Sequence, residues 1–321
     1  MEYRSITDLK ASVHQLAREL SGTIDLVVGI PRSGLLAANL LSLRLDVPMM
    51  SVDGLKNERV LMTGNRYGTV RPFNEFESAL VVDDSVLSGT QMIETKSELE
   101  SYEFPFDVEY GAVYIAPWAD EHVDHWAEVV PSPRVFEWNL FHHPALENAC
   151  VDIDGVLCRD PTPAENDDGE NYREFLSTVA PEVVPNQRIG WLVTARLEKY
   201  RPETEAWLDE HGIEYDELVM MDVPDMETRR ERGNHAQFKS DVYDATGAAL
   251  FIESDAEQAD EIRSQTGKPV FCNESNEMLQ PGRVPALRNQ AKTDLEQVKE
   301  SPVLHPARVG VRLYHRLRHQ F

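Results

Sequence analysis

The sequence predicts an α/β protein made of two domains. Apolar segments of strand length alternate with segments of helical periodicity, which is the pattern of parallel sheets covered by helices. The length of 321 residues is enough for two ordinary domains, each with its own core. Two of the apolar segments end on closely spaced aspartates, which is typical of ligand sites at the carboxyl ends of parallel strands.

The first series of elements extends to about residue 145. Its last part, residues 119–146, is rich in Pro, Trp and His, and we place the domain boundary near its end. Helices are predicted over residues 6–20 and 35–45, and strands over residues 25–30, 78–84, 109–117 and 134–138.

A second series of strands begins immediately afterwards. These strands are predicted over residues 149–154, 189–195, 217–222, 248–254 and 269–272. The predicted division of the chain is therefore residues 1–145, residues 146–280 and a C-terminal tail of residues 281–321.

Composition and charge restrict the class of protein. The formal net charge of −25 disfavours a general nucleic-acid binder, because phosphate backbones would be repelled. The longest apolar runs are strand-sized and residues 1–10 lack a signal-peptide core, so we expect a cytoplasmic protein without a transmembrane segment. Cys150, Cys158 and Cys272 are too few for a disulfide framework and lack zinc-site spacing, so we expect reduced packing residues.

The tail differs in charge from the rest of the chain. No acidic residue follows Glu300, and the spacing of apolar residues in 309–321 predicts a short amphipathic helix. The favoured interpretation is a terminal helix that packs on the acidic body of its own protein. The alternative is a surface that holds an anionic acceptor or the inner face of an anionic membrane. The arginines that follow Glu300 are Arg308, Arg312, Arg316 and Arg318.

The segment ALVVDDSVLSGTQ, residues 79–91, combines two acids with small hydroxylated residues. Adjacent carboxylates such as Asp83 and Asp84 can accept hydrogen bonds from a vicinal diol. The backbone amides and hydroxyls that follow can bind a phosphate without steric bulk. This combination predicts a sugar-phosphate site at a strand end.

The same segment resembles the PRPP-binding motif of type I phosphoribosyltransferases, in the variant of the glutamine amidophosphoribosyltransferases. The resemblance implies that Asp83 and Asp84 hold the ribose 2- and 3-hydroxyls and that residues 85–91 surround the 5-phosphate. The upstream segment IPRSG resembles the loop of this family that binds pyrophosphate. The implied substrate-binding residues are Pro31, Arg32, Ser33, Gly34, Asp83, Asp84, Ser85, Val86, Leu87, Ser88, Gly89 and Thr90.

In this family, pyrophosphate leaves C1 of PRPP and the acceptor attacks the opposite face. Catalysis then consists of stabilising a departing polyanion, which the resemblance assigns to Arg32 and the loop amides. A loop that closes over the site is expected within residues 55–72, where Arg59, Arg66 and Arg71 are candidates. Leu87 stands where 6-oxopurine enzymes carry an aspartate, which weakens a 6-oxopurine acceptor, while orotate and adenine remain open.

The segment VDIDGVL carries a second pair of acids, Asp152 and Asp154. A carboxylate nucleophile beside a carboxylic acid, both near a divalent cation, suits phosphate transfer to aspartate. The segment resembles motif I of the haloacid dehalogenase superfamily of phosphatases. Thr194, Lys239 and Glu253 follow in the order of its other motifs, with Asp255 close behind.

This second resemblance implies a role for each residue. Asp152 attacks phosphorus, and Asp154 protonates the leaving group and then activates water. Thr194 and Lys239 hold the phosphoryl oxygens, so the implied catalytic residues are Asp152, Asp154, Thr194 and Lys239. Mg²⁺ is the implied cofactor, and its implied ligands are Asp152, Asp154, Glu253 and Asp255.

The insert after this motif, residues 158–185, is too short for a large cap domain. We therefore expect an open phosphatase site within a haloacid-dehalogenase-like domain that has a minimal cap. Tyr172 and Phe175 line that mouth or, more commonly for such spacing, pack in a core. For Arg196, substrate contact and a structural ion pair remain equal alternatives.

Together the two halves predict a bifunctional enzyme. It would transfer 5-phosphoribosyl from PRPP to a carbohydrate or polyol hydroxyl and then remove the 5-phosphate, which resembles ribofuranose transfer in capsule and cell-surface glycan synthesis. One alternative is a nucleobase phosphoribosyltransferase coupled to nucleotide dephosphorylation. Another is a PRPP-sensing module that regulates the phosphatase. The sequence leaves the oligomeric state open, although these transferase folds often form homodimers.

Overall fold

The computed structural model describes residues 1–61, 71–228 and 235–282 of the chain. The strands among these residues form a five-stranded sheet, a six-stranded sheet and a two-stranded sheet. The predicted helix within residues 309–321 lies outside the described residues. None of the described helices has both the length and the apolar character needed to cross a membrane.

The five-stranded sheet belongs to the first half and is parallel throughout, in the order β3-β2-β4-β5-β6. Apolar side chains cover both of its faces, so its strands are apolar runs rather than alternating patterns. The strands are β2 Leu26–Gly29, β3 Met49–Ser51, β4 Ser78–Val86, β5 Asp107–Ile115 and β6 His125–Val129, and the helices are α1 Ile6–Glu19, α2 Gly34–Leu45, α3 Val52–Lys56 and α4 Thr90–Leu99.

Helix α1 shows how local sequence sets an element. Ser5 Oγ accepts a hydrogen bond from the Asp8 amide at 3.1 Å, and the Asp8 carboxylate accepts one from the Ser5 amide at 2.8 Å. This capping box satisfies two amides that the first turn leaves without partners. Leu9, Val13 and Leu16 then recur on one face and are buried.

The two-stranded sheet pairs β1 Glu2–Arg4 with β7 Arg134–Phe136 in parallel. Successive side chains of β7 point to opposite faces. As a result, Val135 packs in the core of the second half, whereas Phe136 packs in the core of the first half. The 3-10 helices Glu137–His142 and Pro144–Asn148 then lead into the second half.

The six-stranded sheet has the order β10-β9-β8-β11-β12-β13 and is parallel except for the last strand. Its first strand along the chain, β8, is central, with β9 and β11 on either side. The strands are β8 Ala149–Val151, β9 Ile189–Leu197, β10 Tyr215–Met221, β11 Leu250–Glu253, β12 Val270–Cys272 and β13 Glu277–Leu279, and the helices are α5 Glu170–Thr178, α6 Arg201–Glu210, α7 His235–Thr246 and α8 Ala256–Thr266.

The predicted strands and helices are confirmed apart from their ends. The strand expected over 149–154 is shorter and stops at Val151, before the two aspartates. Strands β1, β3, β6 and β13 are additional to the prediction; three of them are only three residues long, too short for a periodicity signal. Tyr172 and Phe175 are buried in the second core, so core packing is the correct alternative. All three cysteines are free and buried.

Candidate active sites

Asp83 and Asp84 lie at the carboxyl end of the central strand of the five-stranded sheet. Both are buried, at 9% and 3% exposure, and the Asp84 amide donates a hydrogen bond to Asp83 Oδ1 at 2.8 Å. Burial, followed by the negative charge of Asp84, raises the pKa of Asp83 to about 8. Burial therefore favours the protonated form of Asp83.

The two carboxylates have different neighbours because successive residues of a strand point to opposite faces. Asp83 lies against Gly34, where an added Cβ would be 2.9 Å from Asp83 Oδ1. Asp84 accepts a hydrogen bond from the indole Nε1 of Trp138 at 2.8 Å. Sequence reasoning missed Trp138, because the contact joins residues 54 positions apart and no local pattern announces it.

The loop after these acids leads directly into helix α4. Gly89 adopts a left-handed conformation (φ 78°), which favours glycine. The ring of His122 also occupies the space that a Cβ on residue 89 would need. Ser88 Oγ and Thr90 Oγ1 are 2.9 Å apart. Trp118 Nε1 donates a hydrogen bond to the Leu87 carbonyl at 3.0 Å. The loop thus presents hydroxyls and a helix N-terminus, an arrangement that can bind a phosphate. Ser85 is half-buried and Val86 buried, whereas Leu87, Ser88 and Thr90 are exposed.

The predicted pyrophosphate loop lies beside this loop. Strands β2 and β4 are neighbours, with Gly29 opposite Val82, and the Ile30 amide donates to the Val82 carbonyl at 3.0 Å. Pro31 and Arg32 are exposed, while Ser33 is half-buried and precedes the first residue of α2. The structure therefore brings the two predicted loops to one edge of the sheet.

The arginines expected in a closing loop are separated by the structure. Arg71 forms an ion pair with Asp25, which precedes β2 and so lies at the amino edge, opposite the acid pair. Arg59 is exposed after α3. Arg66 lies outside the described residues.

Comparison with known families agrees with this geometry. The family model described as "Phosphoribosyl transferase domain" matches residues 2–146. Residues 2–146 form a type I phosphoribosyltransferase domain. The match supports phosphoribosyltransferase activity, and PRPP is consistent with it as a substrate. No curated protein matches the chain.

Several solved phosphoribosyltransferases are similar to part of the chain. The xanthine-guanine-hypoxanthine phosphoribosyltransferase of Helicobacter pylori is 16% identical over 43% of this chain and 92% of its own, with a TM-score of 0.34. A purine phosphoribosyltransferase from Pyrococcus horikoshii is 20% identical over 43% and 92%, with a TM-score of 0.32. An orotate phosphoribosyltransferase from Aeropyrum pernix is 17% identical over 39% and 71%, with a TM-score of 0.27.

The second candidate site lies at the carboxyl ends of three adjacent strands. Asp152 follows β8, Thr194 lies in β9, and Glu253 ends β11. Lys239 of α7 reaches this edge, and its Nζ lies 2.6 Å from Asp152 Oδ2 and 2.7 Å from Glu253 Oε2. All four side chains are buried.

Burial and charge act together on this cluster. Burial raises the pKa of Asp152 to about 7, and the ammonium of Lys239 opposes that increase. Burial alone would lower the pKa of Lys239, but Asp152 and Glu253 raise it above its ordinary value. Lys239 is therefore a buried cation held by two carboxylates rather than a solvated lysine.

The carboxylate of Asp154 has a different cationic partner from that of Asp152. Arg196 donates to both of its carboxylate oxygens, with the shortest contact at 2.6 Å, and Arg196 also donates to Thr204 Oγ1 at 3.4 Å. The guanidinium is fully buried. The structural ion pair is therefore the correct alternative for Arg196.

The acids named as magnesium ligands do not converge on one point. The described residues contain no group of three or more His, Cys, Asp or Glu side chains placed to hold a metal ion. Asp154 is paired with Arg196, and exposed Asp255 caps α8 by accepting from the Gln258 amide at 2.8 Å. Asp152 and Glu253 remain as carboxylate donors of the type that Mg²⁺ prefers, and in this structure their oxygens contact the ammonium of Lys239.

Proposed function

We propose that this protein binds PRPP at the carboxyl edge of the five-stranded sheet and transfers its 5-phosphoribosyl group to an acceptor. The observation that carries this proposal is the meeting of three features at one edge: the buried acid pair, the loop into α4, and the loop into α2. Each suits one part of PRPP, because carboxylates accept from a diol while amides and helix N-termini bind phosphates.

The proposed transfer needs little covalent chemistry from the protein. The bond from C1 to the pyrophosphate oxygen breaks, a bond from C1 to the acceptor forms, and the acceptor loses a proton. Exposed Arg32, in the loop before α2, is available to the departing pyrophosphate. Asp83 and Asp84 would hold the ribose so that the acceptor approaches one face.

For the acceptor, we propose a hydroxyl of a carbohydrate or polyol, as in cell-surface glycan synthesis. Leu87 is exposed on the loop and cannot exchange a proton with a base nitrogen, which disfavours a 6-oxopurine. A nucleobase such as orotate or adenine is an equally plausible acceptor, and the experiment below separates the two.

For the second half, we propose a haloacid-dehalogenase-like phosphatase that removes the 5-phosphate from the product. Asp152 would attack phosphorus, with Thr194 and Lys239 holding phosphoryl oxygens. Asp154, whose carboxylate accepts hydrogen bonds from Arg196, would protonate the leaving group and then activate water in the hydrolysis step. Mg²⁺ would be held by Asp152 and Glu253 and would supply charge stabilisation at the phosphate.

The experiment is to incubate the full chain with PRPP and Mg²⁺ together with either ribitol-containing glycans or nucleobases. The products are analysed by mass spectrometry. Wild-type protein should add ribose without phosphate, and Asp152→Asn should accumulate the 5-phosphoribosylated acceptor. Asp216→Asn, at an exposed position of β10, is the matched control and should behave as wild type.

Failure of the wild type to consume or bind PRPP overturns the transfer, whereas phosphate retained on the wild-type product overturns only the phosphatase step. PRPP binding without consumption in the presence of every acceptor favours a sensing role.

A further inference from the structure

The acid pair of the proposed PRPP site has a neighbour that comes from outside the sheet. Trp138 lies in the 3-10 helix Glu137–His142, and its indole Nε1 is 2.8 Å from Asp84 Oδ2. Asp84 is only 3% exposed, so a hydrogen bond to its charged form is little screened by solvent. A fixed oxygen limits rotation of the carboxylate.

The indole is itself held in place by other rings. The centroid of the Trp138 ring lies 4.9 Å from that of Phe136 and 6.3 Å from that of Tyr114, and all three rings are close to parallel. Phe136 and Tyr114 are buried in the core of the first half. Two residues further along, Leu140 is buried in the core of the second half. The segment that carries Trp138 is therefore packed on both sides.

Charge near the pair also distinguishes the two acids. Arg134 of β7 is 5% exposed, and burial lowers the pKa of its guanidinium while the charge of Asp84 opposes that change. Its hydrogen bond to the Val130 carbonyl is long, at 3.4 Å. Asp84 thus has an N–H donor and a nearby cation, whereas Asp83 lies against Gly34.

We propose that Trp138 is the positioning residue of the PRPP site: its indole N–H orients the Asp84 carboxylate toward the ribose diol. This inference rests on the proposed function, because it assumes that Asp84 binds ribose. Trp138 touches Asp84 and acts through it, so removing the indole N–H should weaken PRPP binding only when Asp84 is intact.

The test is a double-mutant cycle on the full chain, with the PRPP dissociation constant measured by calorimetry in the presence of Mg²⁺. Trp138→Phe should weaken binding about tenfold, the order expected for one hydrogen bond to a charged group. In an Asp84→Asn background, the same substitution should change binding less than about twofold. Trp126→Phe, on edge strand β6, is the matched control and should bind as wild type.

The outcomes separate the two proposals. Wild-type protein that does not bind PRPP overturns the proposed function, and the positioning role with it. Wild type that binds PRPP while folded Trp138→Phe binds equally well overturns the positioning role alone, as does an equal loss in the Asp84→Asn background. If Trp138→Phe fails to fold, the indole N–H proton resonance is followed in wild type and in Asp84→Asn. A Trp138 resonance that moves neither on PRPP addition nor on Asp84→Asn substitution also overturns it.

Discussion

Lys239→Met tests whether the ammonium of Lys239 stabilises the buried carboxylates of Asp152 and Glu253. The substitution removes the ammonium but keeps a chain of similar length and an apolar stem. It leaves Asp152 and Glu253, whose oxygens lie 2.6 and 2.7 Å from Nζ, without their cation. Removing one partner of a buried ion pair typically costs about 3–5 kcal/mol, and we expect a loss of unfolding free energy in that range at pH 8.

The loss of unfolding free energy caused by Lys239→Met should become smaller as the pH falls. The pKa of Asp152 is already raised to about 7 by burial, and without the opposing ammonium it rises further. At pH 5 the exposed acids of an unfolded chain are mostly charged, whereas buried Asp152 takes up a proton and no longer repels Glu253. The destabilisation by Lys239→Met should therefore fall to about 2 kcal/mol or less at pH 5.

The measurement is guanidinium chloride unfolding of the full chain, followed by far-UV circular dichroism at both pH values. Lys199→Met is the matched control, because Lys199 forms a partly exposed ion pair with Asp168 and should cost at most about 1 kcal/mol. A loss below about 1 kcal/mol for Lys239→Met at pH 8, or an equal loss at both pH values, would refute the reasoning.

Two further predictions concern the first site. Asp83 has a pKa raised to about 8 by burial and by Asp84, so the folded chain binds more protons than the unfolded chain between pH 4 and 8 and loses stability as pH rises. Asp83→Asn removes this pH-dependent loss of stability. The difference in unfolding free energy, Asp83→Asn minus wild type, should be at least about 2 kcal/mol larger at pH 9 than at pH 5. Asp107→Asn, at an exposed position, is the control and should show no such trend. A flat difference across pH contradicts this. Gly34→Ala places a Cβ 2.9 Å from Asp83 Oδ1 and should weaken PRPP binding at least about tenfold in calorimetry. Its control is Gly169→Ala, whose Cβ would meet nothing closer than 3.3 Å. Equal PRPP affinities of wild type and Gly34→Ala would contradict the close approach of Gly34 to Asp83.

The strands that carry chemistry could be predicted because they are buried on both faces. Residues 79–82 are continuously apolar up to the aspartates, and such a run ending on acids is a local signal. The loops around Gly34 and Gly89 could also be expected, because small residues between a strand and a helix allow close approach. Short strands such as β3, with three residues, could not be predicted, since pairing with β2 alone defines them.

Contacts between distant residues could not be predicted in the same way. Trp138 ends a predicted strand in a Pro- and His-rich stretch, and its hydrogen bond to Asp84 joins residues 54 positions apart, so no local pattern predicts it. Arg196 was equally compatible with substrate or structure, and its position facing Asp154 decided between them. Arg71 lay in a segment expected to close over the site, yet it pairs with Asp25 at the opposite edge.

By itself, the sequence determined the α/β class, the order of the main strands and the chemical identity of the residues at their ends. These depend on periodicity and on local backbone preference, which are properties of neighbouring residues. Only the tertiary structure decided which carboxylate faces which partner. Asp83 and Asp84 are adjacent in the chain, yet Asp83 lies against Gly34 and Asp84 accepts from Trp138, and Asp152 and Asp154 pair with different cations. In the buried, low-polarity interior, the interaction of each carboxylate with its partner is stronger than it would be in water. Burial depends on how the whole chain packs, so the sequence alone does not determine it.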